Sequence, residues 1–174
     1  MTGGDKKAIE QLKGRGIVVM PVAQNSNYLM VNFVVNKMVS KEDLQNLLAL
    51  KDQLVWLKMG NTNLSDSGMA VIAKLEQLTR LSLENTAITD KGLALLTSLK
   101  KLLYLNLVGT KVSAAGVTIL KDISGLNSIY LYQTNVAKGD YAALQKAFPK
   151  TAIDSGGYKV MDLPTDTIIV RSKK

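Results

Sequence analysis

The chain has 174 residues, 47% of them hydrophobic and 21% charged, with three prolines, 13 glycines and a net charge of +8. This is enough chain for one domain with a full apolar core, and too poor in proline and glycine for a disordered or collagen-like polymer. With neither cysteine nor histidine present, disulfides, Cys/His metal sites, thiol nucleophiles and a Ser-His-Asp triad are excluded, so no catalytic residue, metal or cofactor is expected.

From the N-terminus, Asp5 to Lys13 has the pattern of an amphipathic helix and Ile17 to Val22 that of a strand. Gly14-Arg15-Gly16 between them lacks the spacing and the lysine of a phosphate loop and reads as a turn. Residues 1–28 are thus expected to form an N-terminal cap. A first irregular unit of about 26 residues follows. In it Val31-Asn32-Phe33 forms a strand, Met38 occupies an inward apolar position, and Ser40 to Asp43 opens a helix carrying Leu44, Leu47, Leu48 and Leu50.

From Leu54 the sequence repeats every 24 residues without a gap, beginning at Leu54, Leu78, Leu102 and Leu126. The unit Leu78 to Lys101 reads LTRLSLENTAITDKGLALLTSLKK. All four copies share an apolar triplet (54, 57, 59 in the first), a threonine (Thr62, Thr86, Thr110, Thr134) and a later apolar residue (Leu64, Ile88, Val112, Val136). Apolar residues at period two, as in Leu81-Ser82-Leu83, point to one face of a short strand. The segment Asp90 to Leu99 then shows helical spacing behind a Thr/Asp start signal. A strand and a return helix in every unit predict an α/β solenoid, a parallel sheet on the concave side and helices on the convex side. About five repeats fill residues 29–148. Pro149 ends the last helix, Ile153 opens a final strand, Gly156-Gly157 makes a turn, and Tyr158 to Val170 closes the stack in a C-terminal cap and tail over 149–174.

This skeleton resembles the leucine-rich repeat family, with its L-x-x-L-x-L-x-x-N/C/T-x-L pattern, over at least Leu54 to Phe148. Within that family it looks like the ribonuclease-inhibitor-like and cysteine-containing types. It departs from them in carrying threonine at the ladder position and in its 24-residue period. Segments Val18 to Gln24 and Ile153 to Tyr158 are also similar to C-terminal repeat modules of bacterial envelope proteins that carry a c-type cytochrome domain. The first resemblance implies a protein-binding scaffold. The second implies an excised extracytoplasmic domain whose haem would belong to a neighbouring domain. As written, the chain reads as soluble: no apolar run approaches the ~18 residues of a membrane span, and Met1 to Lys7 have no apolar signal core.

If the triplets face inward, the alternate strand residues form three concave columns: Met30, Trp56, Arg80, Tyr104, Ser128; Asn32, Lys58, Ser82, Asn106, Tyr130; and Val34, Gly60, Glu84, Val108, Tyr132. Trp, Tyr and Arg dominate binding hot spots. The candidate partner-binding residues are therefore Trp56, Lys58, Arg80, Tyr104, Asn106, Tyr130 and Tyr132. The competing structural reading stacks Arg80 between Trp56 and Tyr104 in a cation-π ladder that binds nothing. Glu84 is the one carboxylate expected on this face and reads as an ion-pair partner of Arg80. The threonine row reads as a structural ladder, and Asp66 and Asp90 as helix-start residues rather than metal ligands. The leading function is non-catalytic binding of a partner protein or neighbouring domain. The alternative is a glycan-binding face, with Trp56 and the tyrosines stacking on sugar rings while Asn32 and Asn106 bond hydroxyls. Nucleic acid is disfavoured, because Lys58 and Arg80 are the only cations expected on the face and the remaining positive charge is dispersed.

Overall fold

The computed structural model describes residues 3–156. The expected closing segment Tyr158 to Val170, with Gly157 of the expected turn, lies outside the described residues. Helix α1 (Gly3–Gly14) and strand β1 (Val18–Pro21) come first, joined by a turn in which Gly16 adopts φ +77°. Strand β2 (Leu29–Asn32) and helix α2 (Lys41–Ala49) make the irregular first unit. Then come β3 (Leu54–Lys58) with α3 (Asp66–Ile72), β4 (Arg80–Ser82) with α4 (Asp90–Ala94), and β5 (Tyr104–Asn106) with α5 (Ala114–Thr118). Strand β6 (Ser128–Tyr130), helix α6 (Tyr141–Ala147) and strand β7 (Ala152–Asp154) complete the series.

The seven strands form one sheet in sequence order. From β2 to β7 every pairing is parallel, whereas β1 runs antiparallel to β2, so the sheet is mixed at its N-terminal end. From β3 onward the register advances by one repeat per strand: Leu57 pairs with Leu81, Leu81 with Leu105, Leu105 with Ile129 and Ile129 with Ile153. Between β2 and β3 the register slips at Leu29/Met30, which accommodates the longer first unit.

The inward triplets form the core. Leu54, Leu57 and Met59 and their equivalents through Leu126, Ile129 and Leu131 are all buried, packed against Met69, Leu93 and Val117 of the convex helices. The return segments are tighter than the single helix expected over Asp90 to Leu99. Helix α4 stops at Ala94, and a 3₁₀ turn covers Leu95–Ser98. A 3₁₀ turn advances ~2.0 Å per residue against ~1.5 Å for an α-helix, and so spans the way back to the next strand in fewer residues.

Three side-chain ladders tie the repeats to their loops and to one another. Each repeat threonine donates its hydroxyl to the carbonyl three residues earlier, Thr62 to Met59, Thr86 to Leu83, Thr110 to Leu107 and Thr134 to Leu131. At the strand ends Asn61, Asn85, Gly109 and Gln133 all adopt left-handed φ between 53° and 68°, and Asn85 Nδ2 donates to Asn61 Oδ1. Asp66 and Asp90 open helices behind the caps Ser65 and Thr89, as expected, and they also clamp the following repeat. The Asp66 carboxylate accepts from the backbone N–H and hydroxyl of Thr89, and Asp90 does the same for Ser113. Glycine is required opposite each carboxylate, since a Cβ on Gly92 or Gly116 would lie 2.3 or 2.0 Å from the aspartate oxygen.

The first unit corrects one expectation. Met38 is 65% exposed, and Val39 packs against the core in its place. The cause is local: Asn36 Oδ1 accepts from Met38 N–H and Asn63 Oδ1 from Val39 N–H, which turns the loop by one residue in this longer repeat. Helix α2 then begins with a capping box between Ser40 and Asp43. Arg15 from the α1–β1 turn donates to the fully buried Asp43 at 2.7 Å and so fastens the N-terminal elements to the stack.

Replacing Leu81 or Leu105 by alanine is expected to cost ~2–5 kcal/mol in chemical denaturation, whereas Tyr104→Ala or Tyr130→Ala leaves folding close to wild type. Unfolding by the tyrosine changes and tolerance of the leucine changes would mean that the two faces are exchanged. Asp90→Ala removes two charge-assisted bonds between repeats and is expected to cost ~1–3 kcal/mol in the same assay.

Candidate functional site

Strand pairing sets the concave columns as the repeat arithmetic predicts: Met30, Trp56, Arg80, Tyr104 and Ser128 are neighbours across five strands. The second column, Asn32, Lys58, Ser82, Asn106 and Tyr130, lies beside it. Adjacent strands are ~4.8 Å apart, so these side chains contact one another along the column and diagonally.

The centre of the face is a ladder of cation and rings. The Arg80 guanidinium carbon lies 5.3 Å from the centre of the Trp56 ring and 5.2 Å from that of Tyr104. Tyr104 in turn tilts at 43° against Tyr130 with centroids 5.0 Å apart. Trp56, Tyr104 and Tyr130 are half-buried and Arg80 and Lys58 exposed. Burial pushes the Tyr104 phenol above its ordinary 10.0, reinforced by Tyr130 and Glu84 and opposed by Arg80.

Five of the seven candidate residues, Trp56, Lys58, Arg80, Tyr104 and Asn106, line a single groove of about 300 Å³, with the core residues Leu57 and Leu81 beneath it. Met30, Ser82 and Glu84 complete its wall. Tyr130 belongs to the ladder through Tyr104 but borders a second hollow, of about 340 Å³, formed with Ser128 and the segment Ala152 to Gly156. Asp154 pairs with Tyr130 there, so Glu84 is not the one carboxylate on the concave side: the last strand, β7, extends the second column by one residue. Tyr132 stands apart from both, 48% exposed, with its ring against Gly156, where a Cβ would lie 2.1 Å from Cδ2. Gly156 adopts φ +68° there, so glycine suits both the space and the backbone.

Glu84 does not pair with Arg80. Its Oε2 accepts from the Ser82 hydroxyl and, at 3.2 Å, from Asn106 Nδ2, and its side chain lies over Gly60. The reason is strand geometry: residues four apart on one strand are ~13 Å apart, whereas Ser82 and Asn106 are immediate neighbours. Among the described residues the ion pair is Arg15–Asp43, and neither the Arg80 nor the Lys58 side chain has a hydrogen-bond or ion-pair partner. No group of three or more acidic, cysteine or histidine side chains that could hold a metal occurs among the described residues. No described helix is long and apolar enough to cross a membrane.

Among solved structures the chain is similar to an internalin, InlF, of Listeria monocytogenes, at 20% identity and a TM-score of 0.53 over 65% of this chain and 32% of that one. The leucine-rich repeat ectodomain of the receptor kinase SOBIR1 of Arabidopsis thaliana matches at 15% identity and a TM-score of 0.50, covering 89% of this chain and 92% of that one. The fold is that of a leucine-rich repeat solenoid. The chain spans about a third of the internalin's length, and likeness at these identities speaks to architecture alone. No protein-family model and no curated protein sequence matches the chain.

Because the folded protein holds the Tyr104 phenol above its ordinary 10.0, the unfolded chain loses that proton first as pH rises. Tyr104 therefore costs no stability below the ordinary value, and its contribution is lost as pH rises through the folded value. Stability measured at pH 9 and at about pH 11 is expected to fall less in Tyr104→Phe than in wild type. An equal fall in both would contradict the placement of this phenol.

Proposed function

We propose that the chain is a non-catalytic protein-interaction module whose concave sheet face binds a partner protein or a neighbouring domain. The observation that carries this reading is the groove of about 300 Å³ that gathers Trp56, Lys58, Arg80, Tyr104 and Asn106 on a solvent-facing surface. The expected stacking of Arg80 between Trp56 and Tyr104 is present and leaves the guanidinium N–H groups without a partner among the described residues. Rigid aromatics and arginine concentrate binding energy because they offer large contact areas at small entropic cost and keep a polar handle. A leucine-rich repeat scaffold holds such a patch without any change of fold, since the core leucines face away from it.

The arrangement favours a protein over a glycan. Sugar rings stack on a free aromatic face, whereas Tyr104 is flanked by Arg80 on one side and Tyr130 on the other. The repeats are read as ribonuclease-inhibitor-like through their helical convex side, with threonine standing in place of that type's ladder residue. On this reading residues 29–148 are the binding stack, and the described residues that flank it, 3–28 and 149–156, are its caps.

A pull-down from host extract with wild type, a Trp56/Tyr104/Tyr130 triple-alanine variant and a convex-face Leu95→Ala variant, all verified as folded, tests the assignment. A protein retained by wild type and Leu95→Ala but lost by the triple variant is the expected result. Equal retention by all three would sink the concave assignment.

A further inference from the structure

The groove around Arg80 combines apolar walls with cations that form no ion pair among the described residues. Trp56 and Tyr104 hold the guanidinium from both sides, which fixes its position while leaving its N–H donors without a partner among the described residues. An arginine held in this way is a pre-organised fork for a carboxylate, because the entropy of placing a long side chain is already lost before binding. Lys58 stands diagonally across, opposite Ser82 on the next strand, and adds a second unpaired cation at the ~7–8 Å spacing of diagonal neighbours in a sheet.

Glu84, the carboxylate nearest these cations in the groove, cannot serve as their internal partner. Ser82 and Asn106 hold it over Gly60, beyond Lys58, where it makes no ion pair with Lys58 or Arg80. The groove thus holds a carboxylate already engaged by a hydroxyl and an amide, beside two cations that form no ion pair among the described residues. Its apolar surface comes from Met30 and from the rings of Trp56 and Tyr104, because Leu57 and Leu81 beneath them turn their side chains into the core. A volume of about 300 Å³ suits a few side chains of an inserted segment and lies at the small end of ligand pockets.

We infer that this groove is the docking site for an acidic segment of a partner protein, in which an Asp or Glu side chain binds bidentate to Arg80 while an adjacent apolar residue packs against Met30 and Trp56. The inference rests on the concave-face reading above and names the chemistry of what that face takes. Charge complementarity selects the occupant: the chain carries a net charge of +8, which draws in acidic segments at long range, and Arg80 converts that attraction into a specific contact. A phosphate-bearing ligand could use the same guanidinium but has no use for the apolar surface of Met30 and Trp56.

Trp56 is the only tryptophan of the chain and lies against Arg80, so its fluorescence reports the site directly. The test is a titration of the folded protein, at ~0.15 M salt, with a capped decapeptide alternating Asp and Leu. Its Asn-for-Asp counterpart and inorganic phosphate are titrated separately. The expected result is a saturable change with the Asp peptide, at least tenfold weaker for the Asn peptide and at least tenfold weaker in Arg80→Lys, which keeps the charge and loses the planar fork. Lys58→Ala is expected to weaken it a few-fold and to steepen no salt dependence, while Lys121→Ala, which removes an equal charge from the convex side, leaves it unchanged.

Equal weakening by Arg80→Lys and Lys121→Ala, or none by either, would overturn the inference in favour of diffuse attraction by net charge. An equal response to phosphate would overturn it in favour of a simple anion site. No saturable response to the Asp peptide, with the triple-alanine variant still losing its partner in the pull-down, would overturn the acidic-segment assignment and leave the concave face standing. If that variant loses nothing, the face itself fails.

Discussion

The structure depends on one constraint: the inward leucines of successive repeats must pack in register, 24 residues apart, between the sheet and the convex helices. Leu57, Leu81, Leu105 and Ile129 pair strand to strand at full burial. A slip of one residue would turn this entire set out to water. Because the register is held so firmly, every other position of the repeat also becomes a column. Equivalent residues sit one strand spacing apart, ~4.8 Å, and whatever chemistry they carry is multiplied along the stack. Threonine hydroxyls close the strand ends, left-handed residues make the turns, and Asp66 and Asp90 reach forward to bind the next helix start.

The same constraint makes the concave surface. Residues that need only point away from the leucines are free to differ from repeat to repeat, and here they bring a tryptophan, an arginine and two tyrosines from four consecutive strands into one ladder. None of these side chains is needed to fill the core. The surface is therefore not uniform along the solenoid: the aromatic and cationic groove occupies β3 to β5, while Tyr130 opens onto a more polar hollow at the C-terminal end.

Much of this was legible in the sequence because an uninterrupted period leaves little freedom. Four gapless copies fix strand order, register and the inward and outward residues by arithmetic, and the concave columns came out in the predicted pairings. What was not legible is what side chains do with their immediate neighbours. Arg80 and Glu84 were expected to pair and carry opposite charges, yet they lie too far apart along the chain: Glu84 is held by Ser82 and Asn106, and Arg80 lies between the rings of Trp56 and Tyr104. Met38 was misplaced because the first unit is longer and its loop is set by Asn36 and Asn63, which no repeat pattern reveals. The Asp66–Thr89–Gly92 and Asp90–Ser113–Gly116 clamps were visible in outline as recurring helix starts. Only the three-dimensional stacking shows that carboxylate, hydroxyl and glycine belong to one unit.

The most direct test of the concave face as the working surface is site-specific photocrosslinking. A benzophenone side chain is placed at Tyr130 on the sheet or at Leu95 on the convex side, and the protein is irradiated in host extract. A discrete protein adduct from position 130 and none from position 95 is the predicted result. An adduct from position 95 alone would place the interaction on the helices and contradict the account.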